Sequence, residues 1–258
     1  ALYRYSLADG VAVHLADSEN PDYETVMVLN KNLLVGKGSL AGKVVVLDPG
    51  HGKNSGAYSK HTKRFEDYYV SQSANIVRDY LLRMGATVKM TRLDNTICPS
   101  LSSRVNFSNS MGASAFCSIH YNSAANEAAH GMEVFHRSWN TESKVLARHT
   151  HDRMKAETGI HSRGVKGDKE VLGFYLGVLS SNHKTNKKCL TEGAFLSNKE
   201  DAFAVNDPVY NTDLSYGIFA GLCETLGVEP LQKTSSAVEL LVDDFTELTD
   251  SWVGMTQQ

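Results

Sequence analysis

The sequence predicts an α/β fold: a mostly parallel, twisted sheet with helices on both faces, plus a small β-rich N-terminal segment and a C-terminal amphipathic helix. Between residues 43 and 228, short apolar runs alternate with segments whose apolar residues recur at helical spacing. Several runs, such as "KVVVLDPG", are apolar almost without interruption, as in strands that are buried on both faces. Alternation of this kind is typical of parallel strands that are joined by helical crossovers.

Length, composition and charge narrow the function. The chain has 258 residues, of which 41% are apolar, and a net charge of -3. No run approaches the roughly 18 apolar residues of a membrane-spanning helix. Basic residues form no long stripe, so we expect no nucleic-acid partner. Four cysteines are too few for a disulfide scaffold and could pair in three ways, among which the sequence does not choose; they are Cys98, Cys117, Cys189 and Cys223.

Residues 1–43 form the first of three predicted parts. They contain short alternating runs, such as "VAVHLA" and "TVMVLN", between clusters of turn-forming residues, which predicts a few small strands. The chain opens at Ala1 without the charged and apolar stretches of a secretion signal. If the protein acts outside the cytoplasm, we therefore expect its signal peptide to be absent from this chain.

Residues 44–228 form the second part, in which strands and helices alternate. A first strand at "KVVVLDP" is followed by a helix over residues 66–84, and Gly85 ends that helix. We expect further strands at "ATVKMTR", "SAFCSIH", "MEVFH" and "KCLTEGAF". We expect further helices at "LSSRVNFSNSMG", over residues 142–158 and over residues 208–227.

Residues 229–258 predict an acidic helical tail. Ser236 and Glu239 match a capping box at its start. Apolar residues then recur every three or four positions and form a narrow stripe on one helix face: Val238, Leu241, Phe245, Leu248 and Trp252. From Ser236 onward there are five acidic residues and no Lys or Arg. We therefore expect this helix to dock on its own chain or on a partner subunit, including a second copy, rather than on a membrane.

Three titratable residues stand at or just past the predicted ends of separate strands: His51, His120 and Glu192. Ligands of open α/β sheets bind at the carboxyl ends of the strands, so these side chains should converge on one edge. Glu66 opens the helix after the first strand and returns to the same edge. Two imidazoles and a carboxylate suit Zn²⁺, and a second carboxylate beside the metal can act on water as a general base. The pattern predicts metal-assisted hydrolysis.

The other histidines are weaker candidates for metal ligands. His149 and His151 lie two positions apart on a predicted helix and cannot face the same way. The remaining histidines stand in polar or turn-like contexts or, for His136, at a strand end: His14, His61, His130, His136, His161 and His183. Each of them is more simply a surface or core residue.

The region from residue 43 to about residue 228 resembles the zinc-dependent N-acetylmuramoyl-L-alanine amidases of the amidase_3 type, which include autolysins, spore-cortex amidases and phage endolysins. The resemblance rests on motifs that occur in the family's order: "DPGHG", "FEDYYVSQSANIVRDYLLRMG", "LSSRVNFSNSMGASAFCSIHYNS", "GMEVF", "RGV" and "LTEGAFLSN". The sequence leaves open whether the chain is an autolysin, a sporulation enzyme or a phage lysin.

The resemblance implies a role for each candidate residue. His51, Glu66 and His120 would hold Zn²⁺, and Glu192 in "TEGAFLSN" would be the catalytic glutamate. Arg104 also matches a family position, with a structural role. The implied reaction is hydrolysis of the amide bond between the lactyl group of N-acetylmuramic acid and L-alanine of the stem peptide. Peptidoglycan would then be the partner, and the protein would be secreted, periplasmic or bound to the cell wall.

Other interpretations remain open at this stage. A zinc peptidase that acts within the stem peptide would use the same metal and base. A wall-binding module without catalysis and a two-carboxylate glycosidase are further alternatives. The loop "SSNHKTNKK" before Glu192 is unusually basic, and it could contact carboxylates of the substrate or simply be solvated.

Overall fold

The computed structural model describes residues 2–7, 10–16, 24–30, 34–35 and 39–233. The chain divides into two units, one formed by residues 1–37 and 231–258 and the other by residues 38–230. The predicted helix from Val238 to Trp252 lies outside the described residues. Among the described helices, none is long and apolar enough to cross a membrane.

The first unit contains the small strands that the sequence predicts near the N-terminus. Three of them form an antiparallel sheet in the order β1-β2-β3: β1 (Leu2–Leu7), β2 (Gly10–Ala16) and β3 (Glu24–Asn30). A short strand, β4 (Leu34–Val35), follows them.

The second unit holds the α/β region. Its strands are β5 (Val44–Pro49), β6 (Tyr58–Ser59), β7 (Arg64–Phe65), β8 (Thr87–Met90), β9 (Ala115–Asn122), β10 (Met132–His136), β11 (Ser162–Gly167) and β12 (Lys188–Phe195). Its helices are α1 (Glu66–Arg83), α2 (Leu101–Met111), α3 (Thr141–Thr158), α4 (Asp168–Leu172), α5 (Lys199–Asn206) and α6 (Pro208–Thr225), with a 3₁₀ turn at Gly177–Leu179. A last strand, β13 (Gln232–Lys233), belongs to the first unit and pairs with β4.

The central sheet has six strands in the order β11-β10-β12-β9-β5-β8. Within the run β8-β5-β9-β12, each strand is parallel to the next one. Strand β10 runs antiparallel to β12 and parallel to β11, so two strands at one side point the opposite way. The predicted α/β class with a mostly parallel sheet is confirmed, while the reversal of β10 and the strand β11 were not predicted.

Helices cover both faces of this sheet, as the sequence predicts. Helices α1, α3 and α6 pack together and against β9, β10 and β12, while α2 and the 3₁₀ turn pack over β5 and β12. The side chains under α2 form one apolar cluster: Val46, Phe116, Phe135, Val178, Leu179 and Leu190. Side chains alternate between the two faces of a strand, so Val45 and Leu47 enter the core on the other side.

Helix ends follow the capping chemistry that the sequence offers. The side chains of Ser100, Asn140 and Asp207 each accept a backbone N–H at the start of a helix. Gly112 and Gly159 end α2 and α3 in the left-handed conformation, and Gly112 is the glycine expected to end its helix. These caps fix where each helix meets the sheet.

Helices α3 and α6 approach each other closely because α6 presents glycines. A Cβ atom on Gly217 would lie 2.6 Å from Met154 Cα, and one on Gly221 would lie 2.4 Å from Thr150 Cα. These two glycines are four positions apart and share one helix face, which lets the two backbones touch.

Candidate active site

The candidate residues meet at one edge of the central sheet. Strands β5, β9 and β12 lie side by side in parallel, so their carboxyl ends share that edge. His120 on β9 is in register with Glu192 on β12. His51 follows the end of β5, where the N–H of Gly50 donates to the carbonyl of Ile119 on β9. The structure therefore brings the end of β5 against the strand that carries His120.

His51, Glu66 and His120 form a compact triangle of donor atoms. His51 Nε2 lies 3.0 Å from Glu66 Oε2, and His120 Nδ1 lies 2.9 Å from Glu66 Oε1. The two ring nitrogens, His120 Nδ1 and His51 Nε2, are 3.1 Å apart. Of the described residues, these three are the group of potential ligands whose donor atoms all lie close together.

This triangle fits a small divalent cation such as Zn²⁺. With bonds of about 2.1 Å, the ligand atoms of a tetrahedral zinc site are about 3.4 Å apart, close to the spacing of the three donors. Two imidazole nitrogens that face each other and a carboxylate would repel through their lone pairs unless a proton or a cation lies between them. The donor set of two nitrogens and one carboxylate is also one that zinc prefers.

The protein holds Glu66 firmly in this position. Its side chain is buried, Oε2 accepts the N–H of Ala57 at 3.0 Å, and Oε1 accepts the N–H of Tyr121 at 3.0 Å. Burial alone would raise the pKa of Glu66, but hydrogen bonds from His120 and His51 outweigh it and lower that pKa well below its usual range. The adjacent Asp67 instead accepts the N–H of Asn54, so it points away from the triangle.

The loop that carries His51 is fixed by buried arginines. Arg104 donates from Nη2 to the carbonyl of His51 and from Nη1 to Asp48 Oδ1 and to the carbonyl of Pro49, each at 2.7 Å. Arg92 donates to the carbonyls of Pro49 and Gly50. The structural role expected for Arg104 agrees with these contacts, whereas Arg92 was not singled out from the sequence.

Gly50 allows this loop to lie against β9. A Cβ atom on Gly50 would lie 2.3 Å from Cε1 of His120. No side chain fits there without displacing the imidazole, so glycine is required by the close approach rather than by its backbone angles. His51 itself adopts φ of 56°, in the left-handed region, at the point where the chain turns out of the strand.

Glu192 lies beside the triangle in a different environment. Its Oε2 atom is shielded from solvent, and no described residue hydrogen-bonds to it. Burial raises the pKa of Glu192 well above its usual range, and the charges of Glu66 and Glu133 raise it further. A carboxyl oxygen that is shielded from solvent and has no partner among the described residues is free to exchange a proton with water or a substrate.

Sequence reasoning missed Glu133, which stands across from Glu192 in the antiparallel register of β10 and β12. The buried Glu133 carboxylate accepts hydrogen bonds from Asn122, Arg163 and Lys166. The sequence feature that could have identified Glu133 is its position as a single charged residue inside the otherwise apolar run "MEVFH". This network extends the row of polar side chains across the sheet from β9 to β11.

An open cleft of about 850 Å³ leads from this edge along the sheet face that α2 covers. His51, Glu66, His120 and Glu192 line one part of the cleft. Leu190, two positions before Glu192 on β12, and the segment 174–178 line another part. The candidate centre is therefore accessible to a substrate that is larger than a single sugar or amino acid.

The basic loop before Glu192 is partly internal. His183 is buried, with hydrogen bonds to the carbonyl of Val178 and to Ser108 Oγ. Lys188 is also buried and donates to the carbonyls of Ser180 and His183. These two residues anchor the loop inside the protein. The sequence suggested that the loop contacts carboxylates of the substrate or is solvated, and neither role describes these two side chains.

The four cysteines are free thiols. Cys117 and Cys189 are buried in register on neighbouring strands, with their Sγ atoms 3.8 Å apart. Cys98 is exposed and lies on the wall of the cleft.

Comparisons with known proteins agree with this geometry. The chain is 29% identical over 196 residues to the germination-specific N-acetylmuramoyl-L-alanine amidase of Bacillus subtilis (strain 168). The aligned region covers 71% of this chain and 79% of that protein. It is also 29% identical over 193 residues to the probable cell wall amidase LytH of Staphylococcus aureus. That aligned region covers 72% of this chain and 59% of LytH.

Solved structures give the same result. The catalytic domain of CwlV, an N-acetylmuramoyl-L-alanine amidase from Bacillus (Paenibacillus) polymyxa var. colistinus, superposes with a TM-score of 0.66 at 30% identity, covering 72% of this chain and 99% of that domain. An N-acetylmuramoyl-L-alanine amidase from Clostridium difficile 630 has a TM-score of 0.66 at 27% identity, covering 73% of this chain and 98% of that one. The family model Amidase_3, described as N-acetylmuramoyl-L-alanine amidase, matches residues 45–224. The chain therefore belongs to the amidase_3 family of N-acetylmuramoyl-L-alanine amidases.

Proposed function

We propose that this chain is a zinc-dependent peptidoglycan hydrolase that cleaves the amide bond between the lactyl group of N-acetylmuramic acid and L-alanine of the stem peptide. The observation that carries the proposal is the triangle of His51, Glu66 and His120 donor atoms beside the unpartnered carboxyl oxygen of Glu192 in an open cleft. Peptidoglycan lies outside the cytoplasm, so the protein acts there.

The mechanism assigns one task to each residue. His51 Nε2, His120 Nδ1 and the Glu66 carboxylate would hold Zn²⁺, which when bound polarises the substrate carbonyl and makes water more acidic. Glu192 Oε2 takes a proton from the attacking water as its oxygen bonds to the carbonyl carbon. Glu192 then gives that proton to the nitrogen of L-alanine as the C–N bond breaks. The products are a lactyl carboxylic acid and a free amine.

The division of the chain follows from this assignment. We take residues 44–228 as the catalytic domain, with residues 1–43 and the acidic tail 229–258 as appendages. Docking or self-association through that tail remains a prediction.

Two substitutions test the roles of the residues. Glu192→Gln removes the base but leaves the three ligands, so the variant should keep zinc and lose about 10²- to 10⁴-fold in turnover. His120→Ala removes a ligand and should lose both zinc and activity. Near-normal turnover of Glu192→Gln, or full zinc occupancy of His120→Ala, would show that the assignment is wrong.

Digestion of purified peptidoglycan, with and without a chelator, tests the bond and the metal together. Mass analysis of the products should show glycan strands free of stem peptides, and new amino groups on L-alanine. New amino groups on a later residue would identify a peptidase instead. Activity that survives the chelator would point to a glycosidase, and binding of zinc-loaded protein to sacculi without clearing would point to a wall-binding module.

A further inference from the structure

Two exposed aromatic residues, Phe174 and Tyr175, lie on the wall of the cleft, and the ring of the exposed Trp139 contacts Tyr175. We call these three residues the aromatic shelf. Trp139, Phe174 and Tyr175 are 72%, 59% and 39% exposed, respectively. Phe174 and Tyr175 line the cleft that contains the candidate centre. The rings of Trp139 and Tyr175 meet edge to face, with centroids 6.3 Å apart. Exposed apolar clusters of this kind mark interaction sites.

The shelf is held in place by one buried carboxylate. Asp168 has no exposed surface, and its Oδ1 accepts the N–H groups of Ser138 and Lys169 at 2.9 and 2.7 Å. Its Oδ2 accepts the N–H of Leu176 at 3.1 Å. Ser138 precedes Trp139 and Leu176 follows Tyr175, so a single side chain ties together the two segments that carry the aromatic rings.

One residue of the shelf has an uncommon backbone conformation. Trp139 adopts φ of 61°, a left-handed conformation that bulky residues rarely adopt. Strain of this kind and exposed aromatic surface are both unfavourable in the isolated protein, and both are typical of sites that bind a ligand. The guanidinium carbon of Arg137 lies 3.3 Å from the centre of the Tyr175 ring, which fixes the orientation of that ring.

The shelf lies some distance from the catalytic edge. His136 at the end of β10 pairs with Cys189, three residues before Glu192 on β12, which corresponds to about 10 Å along the strand. Trp139 follows three residues after His136. A ligand that touches both Glu192 and the shelf must therefore be extended along the cleft.

We propose that the aromatic shelf binds the glycan strand of peptidoglycan, at least two sugar units away from the muramic acid whose amide bond is cleaved. A pyranose ring has an apolar C–H face that packs on an aromatic ring, and hydroxyl groups at its edge that can accept hydrogen bonds from the side chains of Arg137 and Lys169. The stem peptide has few flat apolar faces, so it packs less well on three aromatic rings. This inference rests on the proposed function and adds a polymer subsite to it.

Binding of peptide-free glycan strands tests the shelf without catalysis, because such strands lack the cleavable bond. Wild-type protein should bind them, and Trp139→Ala and Tyr175→Ala should each weaken binding roughly three- to tenfold. Tyr175→Phe keeps the ring and should bind as the wild type does. Phe203→Ala is the matched control, since Phe203 is 51% exposed on α5 and its ring lies beside His61 rather than beside a ring of the shelf.

Competition identifies the occupant of the shelf. Free stem peptides and poly(glycerol phosphate), an anionic polymer, should displace glycan strands poorly and should bind equally to wild type and Trp139→Ala. If Trp139→Ala weakens the binding of either competitor and not that of glycan strands, the shelf serves a different ligand. Equal glycan binding by wild type and Trp139→Ala, or no glycan binding by either, would also overturn the inference.

Kinetics separate this inference from the proposed function. On long-strand peptidoglycan, Trp139→Ala should raise KM with little change in kcat, whereas on a single-disaccharide muropeptide both constants should stay at wild-type values. If the wild type cleaves neither substrate, the proposed function is wrong. The binding of glycan strands then still tests whether the shelf binds glycan. If cleavage is normal and the KM of Trp139→Ala on long strands is unchanged, only the shelf is wrong.

Discussion

Replacing Arg104 by lysine should weaken the proposed metal centre while leaving the protein folded. The guanidinium group makes four contacts: to the carbonyls of Pro99, Pro49 and His51 and to Asp48 Oδ1. A lysine ammonium is a single point on a different stem and can keep its place beside the buried Asp48 carboxylate. It cannot also reach the carbonyls of Pro99 and His51, because only a planar fork spans them.

The magnitude follows from the lost contacts. A hydrogen bond that involves a charged group contributes about 1.5–3 kcal/mol, so the loss of two contacts gives a destabilisation of roughly 3 kcal/mol once partial compensation by water is allowed. That is less than the total stability of most domains, so the variant should fold. Loss of the groups that support a metal ligand typically lowers metal affinity 10- to 100-fold, and the same range is expected for zinc here because His51 is no longer held.

Zinc affinity, measured by competition with a chromophoric chelator, and urea unfolding of the metal-free protein are the two assays. Arg148→Lys provides the matched control, since Arg148 is an exposed arginine on α3. If Arg104→Lys is destabilised but binds zinc as tightly as the wild type, then Arg104 supports the fold alone and the link to His51 is refuted.

Three further predictions concern the framework around the site. Gly217→Ala should destabilise the protein by about 1–3 kcal/mol in urea unfolding, because the new methyl group meets the backbone of Met154; a gain in stability, as helix propensity alone would give, would contradict this packing. Burial lowers the pKa of Lys188 from 10.5 to about 8, so the unfolded chain binds more protons above pH 8 and stability should rise with pH between 8 and 10.5. Lys188→Met should lack that rise when unfolding is compared at pH 7 and pH 9.5, and parallel pH curves for the two proteins would refute the assignment. Asp168→Asn should cost about 1–3 kcal/mol, since its amide N–H₂ group would face a backbone N–H donor, and unchanged urea unfolding would mean that Asp168 does not tie the two segments together.

The place of the candidate site could be predicted from the sequence, because parallel strands bring their carboxyl ends to one edge. An apolar run that ends in a polar residue therefore locates that residue, and this logic found His51, His120 and Glu192. Their roles in metal binding and catalysis remain proposals that the substitutions above can test.

The supporting residues could not be predicted in the same way. A buried arginine such as Arg92 looks like a surface residue in a single sequence, since nothing local shows that its partners are backbone carbonyls some forty residues away. The sequence of a short strand does not show in which direction the strand runs in the sheet. The pairing of Glu133 with Glu192 across β10 and β12 is therefore seen only in the folded chain. Lys188 and His183 belong to a basic loop, yet both turn inward.

The reversal of β10 and β11 separates two parts of the protein that can change independently. Because these two strands run opposite to the other four, the segments that follow them, at Trp139 and after Gly167, leave from the sheet edge opposite to His51 and Glu192. Insertions or deletions in those segments would lengthen or shorten the reach along a polymer, while the edge that carries His51 and Glu192 kept its dimensions. The same hydrolytic centre can thus be matched to walls of different architecture by changes in loops that leave the sheet at its other edge.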